Sequence, residues 1–335
     1  MTMTSPEALR HRLKALLAWV PPGAARWISL LSLGFLLAAL LSHGPQVLAL
    51  APDPQGWLWL VLGVGISLLS LIGSALLWGV VLQWLGQRPG LQLLVQAYLL
   101  TNARKYLPGG IWHLASRVQM LRQGQLTTAP LAAPLALVAV LLDPLLAAVA
   151  ALALVVCGGW QGGLAPLALV PLLLLWPRWL APLLGWLERR KAAALGLASD
   201  LEPGQLEPGQ LEAVPALPAQ PPWRALLLAL AFVLLRFGGF ACCVMALDLQ
   251  PALGWGGWLA GFALAWTAGL VVPGAPAGLG VFEVVLLLRL GVVLPEPPML
   301  ALAISYRLVV SLADAIAAAT VAADQRRGPL AQLRN

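Results

Sequence analysis

Residues 105–124 read KYLPGGIWHLASRVQMLRQG, and residues 271–291 read VVPGAPAGLGVFEVVLLLRLG. Each stretch is apolar on both sides of a cluster of proline and glycine. Proline removes a backbone donor and glycine frees the φ angle, so each cluster ends one helix and allows another to begin. These two helix breaks decide how the rest of the chain is arranged.

The composition around the breaks is that of a membrane protein. Of the 335 residues, 60% are apolar and only 10% are charged, and the mean hydropathy is +0.86. Soluble domains have about 45–50% apolar and about 25% charged residues, and disordered chains are poor in bulky apolar residues. Since a helix needs about 20 apolar residues to cross a bilayer, the chain is predicted to be an all-α integral membrane protein with several spans.

Six apolar windows are predicted to cross the membrane completely. The fourth window is the weakest, because Pro166, Pro171, Pro177 and Arg178 interrupt it. The broken stretches 91–124 and 255–291 lie between windows, and each contains one helix break. The six windows are residues 27–41, 57–85, 129–156, 164–187, 223–247 and 298–323.

The basic residues indicate whether the broken stretches cross. If both stretches are re-entrant hairpins and the N-terminus is cytoplasmic, 17 of the 20 basic residues lie on the cytoplasmic side. The outer loops 42–56 and 157–163 then carry none. If the first broken stretch crossed, Arg189, Arg190 and Lys191 would lie outside, against the positive-inside rule. The prediction is therefore a protein of the cell (inner) membrane with re-entrant hairpins and both termini in the cytoplasm.

The order of the predicted elements forms an internal repeat. A span, a broken hairpin and a span occur in each half, and the second unit is inverted relative to the first. Inverted repeats with helix breaks at matching positions are typical of transporter folds. The predicted division is a cytoplasmic segment 1–26, a membrane half 27–187, a flexible cytoplasmic linker 188–222, a second membrane half 223–323 and a cytoplasmic tail 324–335.

Charged side chains inside the apolar stretches mark a candidate site. A charge within a membrane helix costs about 2.5–3.5 kcal/mol on insertion scales, so it should face protein, water or substrate. Arg307, Ser311 and Asp314 fall on one stripe of the last predicted span. The charges within the apolar stretches are Asp143, Arg236, Glu283, Arg289, Arg307 and Asp314.

Purely structural roles are open alternatives for these charges. Arg117 and Glu283 stand 166 positions apart, at equivalent places of the two repeats, and could form a buried ion pair that fixes the fold. Arg307 and Asp314 could form another. Asp143 precedes a proline, and its alternative role is to satisfy backbone groups that a kink sets free.

The helix that begins after Pro108 suggests a phosphate site. Its unsatisfied N–H groups and positive dipole end would point into the membrane interior and suit an anion. We expect Arg117 and the amides of Gly109 and Gly110 to bind a lipid phosphate. The second break, 273–280, would present a positive end from the opposite leaflet. Glu283 should meet a cationic or hydroxyl-bearing part of the headgroup, or Arg307 when the site is empty; the alternative is that both breaks only let helices pack and turn.

The two quoted stretches, together with Tyr306 and Arg307, resemble the transmembrane region of lysylphosphatidylglycerol synthases, also called the flippase-like family. The resemblance covers roughly residues 25–325. Residues 275–277 read Ala-Pro-Ala, where the family more often has glycine. The substrate-binding residues that the resemblance implies are Lys105, Tyr106, Pro108, Gly109, Arg117, Pro273, Gly278, Gly280, Glu283, Tyr306 and Arg307. Gly110 and Asp314 are added to this set because of their positions in the first break and on the polar stripe.

The resemblance implies a lipid substrate. In the synthases of that family a soluble C-terminal domain attaches an amino acid to phosphatidylglycerol, and the membrane region moves the product between leaflets. Only residues 324–335 follow the last predicted span here, so the chain resembles the stand-alone membrane module. The implied substrate is an aminoacylated or glycosylated phospholipid or a polyprenyl-phosphate-linked sugar.

Three functions are compatible with these patterns. The first is a lipid translocator that is not an enzyme and has no catalytic residue, metal or cofactor. The second is a non-transporting membrane partner of a separate glycosyltransferase or lipid synthase. The third is an intramembrane lipid-modifying enzyme, for which the sequence offers no zinc motif, aspartate-rich motif or Ser/His/Asp set. A nucleic-acid partner is not expected, because the basic residues flank predicted spans instead of forming one patch.

Overall fold

The computed structural model describes residues 52–106, 112–159, 164–176, 178–185, 217–272 and 276–327. The predicted first span, the N-terminal segment and most of the predicted linker and tail lie outside these ranges. Four of the predicted substrate-binding residues do so as well: Pro108, Gly109, Gly110 and Pro273.

The regular structure of the described residues is entirely helical. Short 3₁₀ segments at Ala103–Tyr106 and Pro276–Gly278 stand next to the two breaks. The α-helices are α1 Pro54–Trp84, α2 Leu91–Asn102, α3 Trp112–Arg122, α4 Ala133–Leu154, α5 Leu164–Leu169, α6 Arg178–Gly185, α7 Trp223–Ala246, α8 Trp255–Val271, α9 Val281–Leu290 and α10 Glu296–Arg327.

Four helices of the described part are long and apolar enough to cross a membrane: Pro54–Trp84, Ala133–Gly158, Trp223–Ala246 and Glu296–Asp324. They match the second, third, fifth and sixth predicted windows and confirm the all-α, membrane-embedded class. The fourth window forms two helical pieces, Leu167–Leu175 and Arg178–Gly185, which are bent by 90°. Proline cannot donate the hydrogen bond that would continue a helix, which accounts for the bend at this proline-rich place.

Large apolar side chains on the outer surface fit a lipid environment. Leu58 is 71% exposed, Leu288 is 76% exposed and Val292 is 90% exposed. Soluble proteins rarely expose extended apolar surface. Lipid tails, in contrast, solvate such side chains without a free-energy cost.

Each broken stretch consists of two short helices. In the first stretch, α2 has 12 residues and α3 has 11. In the second, α8 has 17 residues and α9 has 10. At 1.5 Å per residue the longest of the four is about 25 Å long, which is less than the roughly 30 Å of a bilayer core.

Helices α1 and α7 form the most extensive helix contact and run antiparallel. Gly56 near the start of α1 lies against Ala246 at the end of α7, while Gly73 lies near Leu235. A Cβ atom added at Gly239 would be only 2.6 Å from Oγ of Ser67. Small residues therefore bring the two backbones together, as is common between helices in membranes.

Two buried cores flank the region between the breaks. The first is centred on Trp78 and Tyr98, and Nε1 of Trp78 donates to the carbonyl of Ala139 at 3.1 Å. The second is an aromatic cluster around Phe240, in which the ring centroid of Phe262 lies 5.1 Å away. These cores fix the helices that carry the polar side chains described next.

Candidate functional site

A cavity of about 420 Å³ lies where the two breaks meet. The 3₁₀ segment Ala103–Tyr106 of the first break contacts the segment Pro276–Gly278 of the second. Residues of helices α1 to α4 and α7 to α10 provide the remaining walls. Residues far apart in the sequence thus line one space.

Asp314 of α10 holds the first break in place. Its Oδ2 atom lies 2.7 Å from Nζ of Lys105 and accepts a hydrogen bond of 2.5 Å from the hydroxyl of Tyr106. Its Oδ1 atom accepts from Nδ2 of Asn102 at 2.7 Å, and the residue is only 2% exposed. The alternative ion pair of Asp314 with Arg307 is therefore wrong. Two helical turns separate those residues along α10, so each reaches a different break.

Arg117 of α3 is buried against the first core. Its Nη1 atom lies 3.6 Å from Oδ2 of Asp143 on α4, and its Nε donates to Oγ1 of Thr101 at 3.1 Å. The guanidinium carbon lies 3.6 Å from the ring centroid of Tyr98, a cation–π arrangement. Nη2 of Arg117 has no hydrogen-bond partner among the residues that the structure describes.

These contacts correct two of the sequence-based alternatives. Arg117 pairs with Asp143 and not with Glu283, because α3 packs against α4. The carboxylate of Asp143 accepts from the hydroxyl of Tyr98 at 3.3 Å and pairs with the guanidinium. Its role is therefore not confined to backbone groups set free by the proline that follows it.

Glu283 caps the helix that carries it. Its Oε2 atom accepts from the backbone N–H of Gly280 at 2.7 Å, and its Oε1 atom accepts from Nε of Arg307 at 2.5 Å. The expectation that this helix end faces an external anion is wrong at Gly280, because a carboxylate of the same helix occupies it. The contact with Arg307 is the one expected for an empty site.

Arg307 joins the second break to α10. Its Nη1 atom donates to the carbonyl of Ala277 at 2.7 Å, and its Nη2 atom donates to the carbonyl of Gly278 at 2.8 Å. Gly278 has a φ of +69°, and a Cβ atom added there would lie 2.8 Å from the carbonyl oxygen of Gly269. Only glycine fits both this conformation and this space. Ala277, where the family more often has glycine, adopts a φ of +52°.

The sequence patterns placed Arg236 of α7 inside a predicted span, but Arg236 was not among the predicted substrate-binding residues. It is 6% exposed and lines the cavity. Within the described ranges it makes no salt bridge, and its Nε atom has no hydrogen-bond partner. The ring centroid of Phe232 lies 5.6 Å from its guanidinium carbon. A charge inside an apolar span was the signal that could have identified it.

The thirteen predicted substrate-binding residues divide into three groups, and Arg289, a charge within a predicted membrane stretch, stands apart from them. Three of them, Gly280, Glu283 and Asp314, support lining residues from behind. Arg289 is exposed on α9 and does not line the cavity. Four predicted residues lie outside the described part, as noted above. The predicted residues that line the cavity are Lys105, Tyr106, Arg117, Gly278, Tyr306 and Arg307.

The charges of the site favour an anion. Four cationic side chains line the cavity: Lys105, Arg117, Arg236 and Arg307. Three carboxylates pair with three of these cations. With all seven groups ionised, the site carries one net positive charge. In the described ranges, no cluster of three or more His, Cys, Asp or Glu side chains is placed to hold a metal.

Comparisons with known proteins add no family assignment. No family model matches the chain, and no curated protein matches it in sequence. The resemblance given above therefore depends on the two break sequences and on Tyr306 and Arg307.

Proposed function

We propose that this chain is a translocator of lipids with a polar or anionic headgroup. The observation that carries the proposal is the cavity of about 420 Å³, lined by four cationic side chains and surrounded by long apolar helices. Its volume falls in the range of small-molecule sites, about 300–1,000 Å³. Buried charges are costly in a membrane and usually mark a substrate path. The headgroup would occupy the cavity while the acyl or prenyl chains stay in lipid.

The substrate class follows from the same chemistry. Guanidinium groups bind phosphate oxygens through two parallel hydrogen bonds. We propose an aminoacylated or glycosylated phospholipid or a polyprenyl-phosphate-linked sugar, in keeping with the resemblance of the break sequences. A separate lipid-modifying or glycosyl-transfer enzyme would supply such a lipid.

The proposed architecture is an inverted repeat of spans and re-entrant hairpins. The antiparallel packing of α1 and α7, the first helices of the two units, supports it. The ion pairs support it too: Asp143 follows Arg117 by 26 positions and Arg307 follows Glu283 by 24. In both units an ion pair thus joins the second short helix to the long helix that follows it. The cation is on the short helix in the first unit and on the long helix in the second. Six spans, a cytoplasmic location of both termini and the inner membrane belong to this proposal.

Reconstitution into vesicles tests the function directly. The purified protein is placed in vesicles that contain phosphatidylglycerol labelled on one acyl chain with a fluorophore, and dithionite is added outside to reduce accessible label. In vesicles that contain the protein, we expect dithionite to reduce nearly all the label. In vesicles without the protein, it should reduce only the label of the outer leaflet. If protein-containing vesicles protect as much label as empty ones, the translocator proposal is wrong. Binding of the lipid without movement would favour the non-transporting partner.

A further inference from the structure

Arg236 is the one cation of the described cavity lining that has no counter-ion. Lys105 is paired with Asp314, Arg117 with Asp143, and Arg307 with Glu283. Arg236 is 6% exposed, yet no salt bridge joins it to any other described residue, and its Nε atom has no hydrogen-bond partner among them. A buried charge without a partner is costly, because the protein interior does not replace its lost hydration. A protein that retains such a charge needs a ligand to compensate for it.

A second unfilled donor lies in the same cavity. Nη2 of Arg117 is buried and lacks a hydrogen-bond partner in the described part of the chain. Its guanidinium is held by Asp143, Thr101 and the ring of Tyr98, so the direction of the free N–H groups is fixed. Buried donors are nearly always satisfied in native proteins. The cavity lining therefore includes two guanidinium groups, on α3 and α7, and each keeps a buried nitrogen without a partner among the described residues.

The geometry points to a singly charged phosphodiester as the group bound at Arg236. This inference rests on the proposed function and names the residue that binds the phosphate of its substrate. The site carries one uncompensated positive charge, so a monoanion makes the filled cavity neutral. A phosphate monoester carries close to two negative charges above the second pKa of about 6. The desolvation cost of an ion grows with the square of its charge, whereas its attraction to one cation grows only linearly, so the dianion is disfavoured.

A phosphodiester can come from two sources. One is the headgroup of a lipid such as phosphatidylglycerol, and the other is a free, water-soluble diester. Both offer the same monoanion to Arg236. Only the lipid adds apolar chains that can lie against the exposed apolar side chains of the helices.

Calorimetric titration of the full chain in detergent tests the inference. The probes are short-chain phosphatidylglycerol, short-chain phosphatidic acid and soluble glycerophosphoglycerol, at about pH 8, where the monoester is a dianion. We expect phosphatidylglycerol to bind more tightly than phosphatidic acid. Arg236→Gln should weaken phosphatidylglycerol binding about 10- to 150-fold, the loss expected for a charge-assisted contact. The affinity of Arg236→Lys should lie between those of wild type and Arg236→Gln, because lysine keeps the positive charge but cannot form the two parallel hydrogen bonds of a guanidinium.

Arg224→Gln is the matched control, since Arg224 is an exposed arginine on the same helix that does not line the cavity. It should bind as wild type does. Thermal unfolding without ligand separates a binding role from a structural one. Arg236→Gln should unfold at a higher temperature than wild type, because it removes an uncompensated buried charge. A structural ion pair would give the opposite sign.

Several outcomes would overturn the inference. Two concern affinity for phosphatidylglycerol: Arg236→Gln binds it as tightly as wild type, or Arg236→Lys binds it no more tightly than Arg236→Gln. A third is that wild type binds phosphatidic acid at least as tightly as phosphatidylglycerol. A fourth is that Arg236→Gln unfolds at a lower temperature than wild type. Equal binding of the soluble diester would support the role of Arg236 and contradict a lipid substrate. Tight, Arg236-dependent lipid binding in a protein that moves no lipid in vesicles would support this inference and contradict the translocator.

Discussion

Nζ of Lys105 lies 2.7 Å from Oδ2 of Asp314, although 209 positions separate the two residues. This contact ties the first helix break to the last long helix. The same carboxylate accepts hydrogen bonds from Asn102 and Tyr106. One buried acid thus gathers three side chains of the first broken stretch and sets one wall of the cavity.

We expect Asp314→Asn to destabilise the protein by about 3–5 kcal/mol, because it leaves the ammonium of Lys105 buried without a counter-ion. Thermal or denaturant unfolding in detergent measures the loss. The double variant Lys105→Gln with Asp314→Asn should be more stable than Asp314→Asn alone. Equal stability of the single and double variants would contradict a coupled pair.

Glu283 should act mainly on the stability of the second break. Glu283→Gln removes the charge opposite Arg307 but keeps an acceptor for the N–H of Gly280, whereas Glu283→Ala loses both contacts. We expect Glu283→Ala to be less stable than Glu283→Gln by about 1 kcal/mol, the usual value of an N-cap contact. Unfolding curves of the two variants provide the comparison. The capping role is wrong if their midpoints coincide.

Gly278 should not tolerate a side chain. Gly278→Ala combines a φ of +69° with a Cβ position 2.8 Å from the carbonyl oxygen of Gly269, so we expect a loss of more than about 1 kcal/mol. Gly65→Ala is the control, because Gly65 lies in α1 with nothing within 4 Å of an added Cβ. The control should be neutral or more stable by up to about 1 kcal/mol. Unfolding measurements that rank the two variants equally would contradict the packing described for the second break.

The predicted orientation can be tested with cysteines. Cys157 is exposed after the end of α4, whereas Cys242 and Cys243 are buried. On the proposed topology a membrane-impermeant maleimide should label Cys157 in intact cells. In a Cys157→Ser background, a cysteine placed at Gln205 in the predicted linker should be labelled only after the cells are opened. Labelling of that cysteine from outside would overturn the orientation.

The sequence predicted the long helices well, because apolar length is a local property. The windows around Trp57, Ala133, Trp223 and Pro298 each became a helix that can cross a membrane. The window from residue 164 became two helical pieces bent by 90°, which are long and apolar enough to cross only if the two are taken together. Helix existence follows from composition, but the direction of a helix after a proline depends on what packs against it.

The site was predicted only in part. Lys105 and Tyr106 were implied by the resemblance, Arg117 and Arg307 were also indicated by their charge and position, and all four line one cavity. Their partners were not predictable, because an ion pair depends on the rotation and depth of helices that can be far apart in the sequence. Asp143 and Asp314 illustrate this: each pairs with a cation that the sequence had not assigned to it.

The unpaired charge of Arg236 also has an electrical consequence. Moving one elementary charge through 100 mV changes the free energy by about 2.3 kcal/mol. A rearrangement that carries the cavity across part of the membrane field would move one net charge when the cavity is empty and none when a monoanion fills it. For a substrate whose only charge is one phosphodiester, the membrane voltage would therefore act on the return of the empty protein and leave the loaded step unaffected.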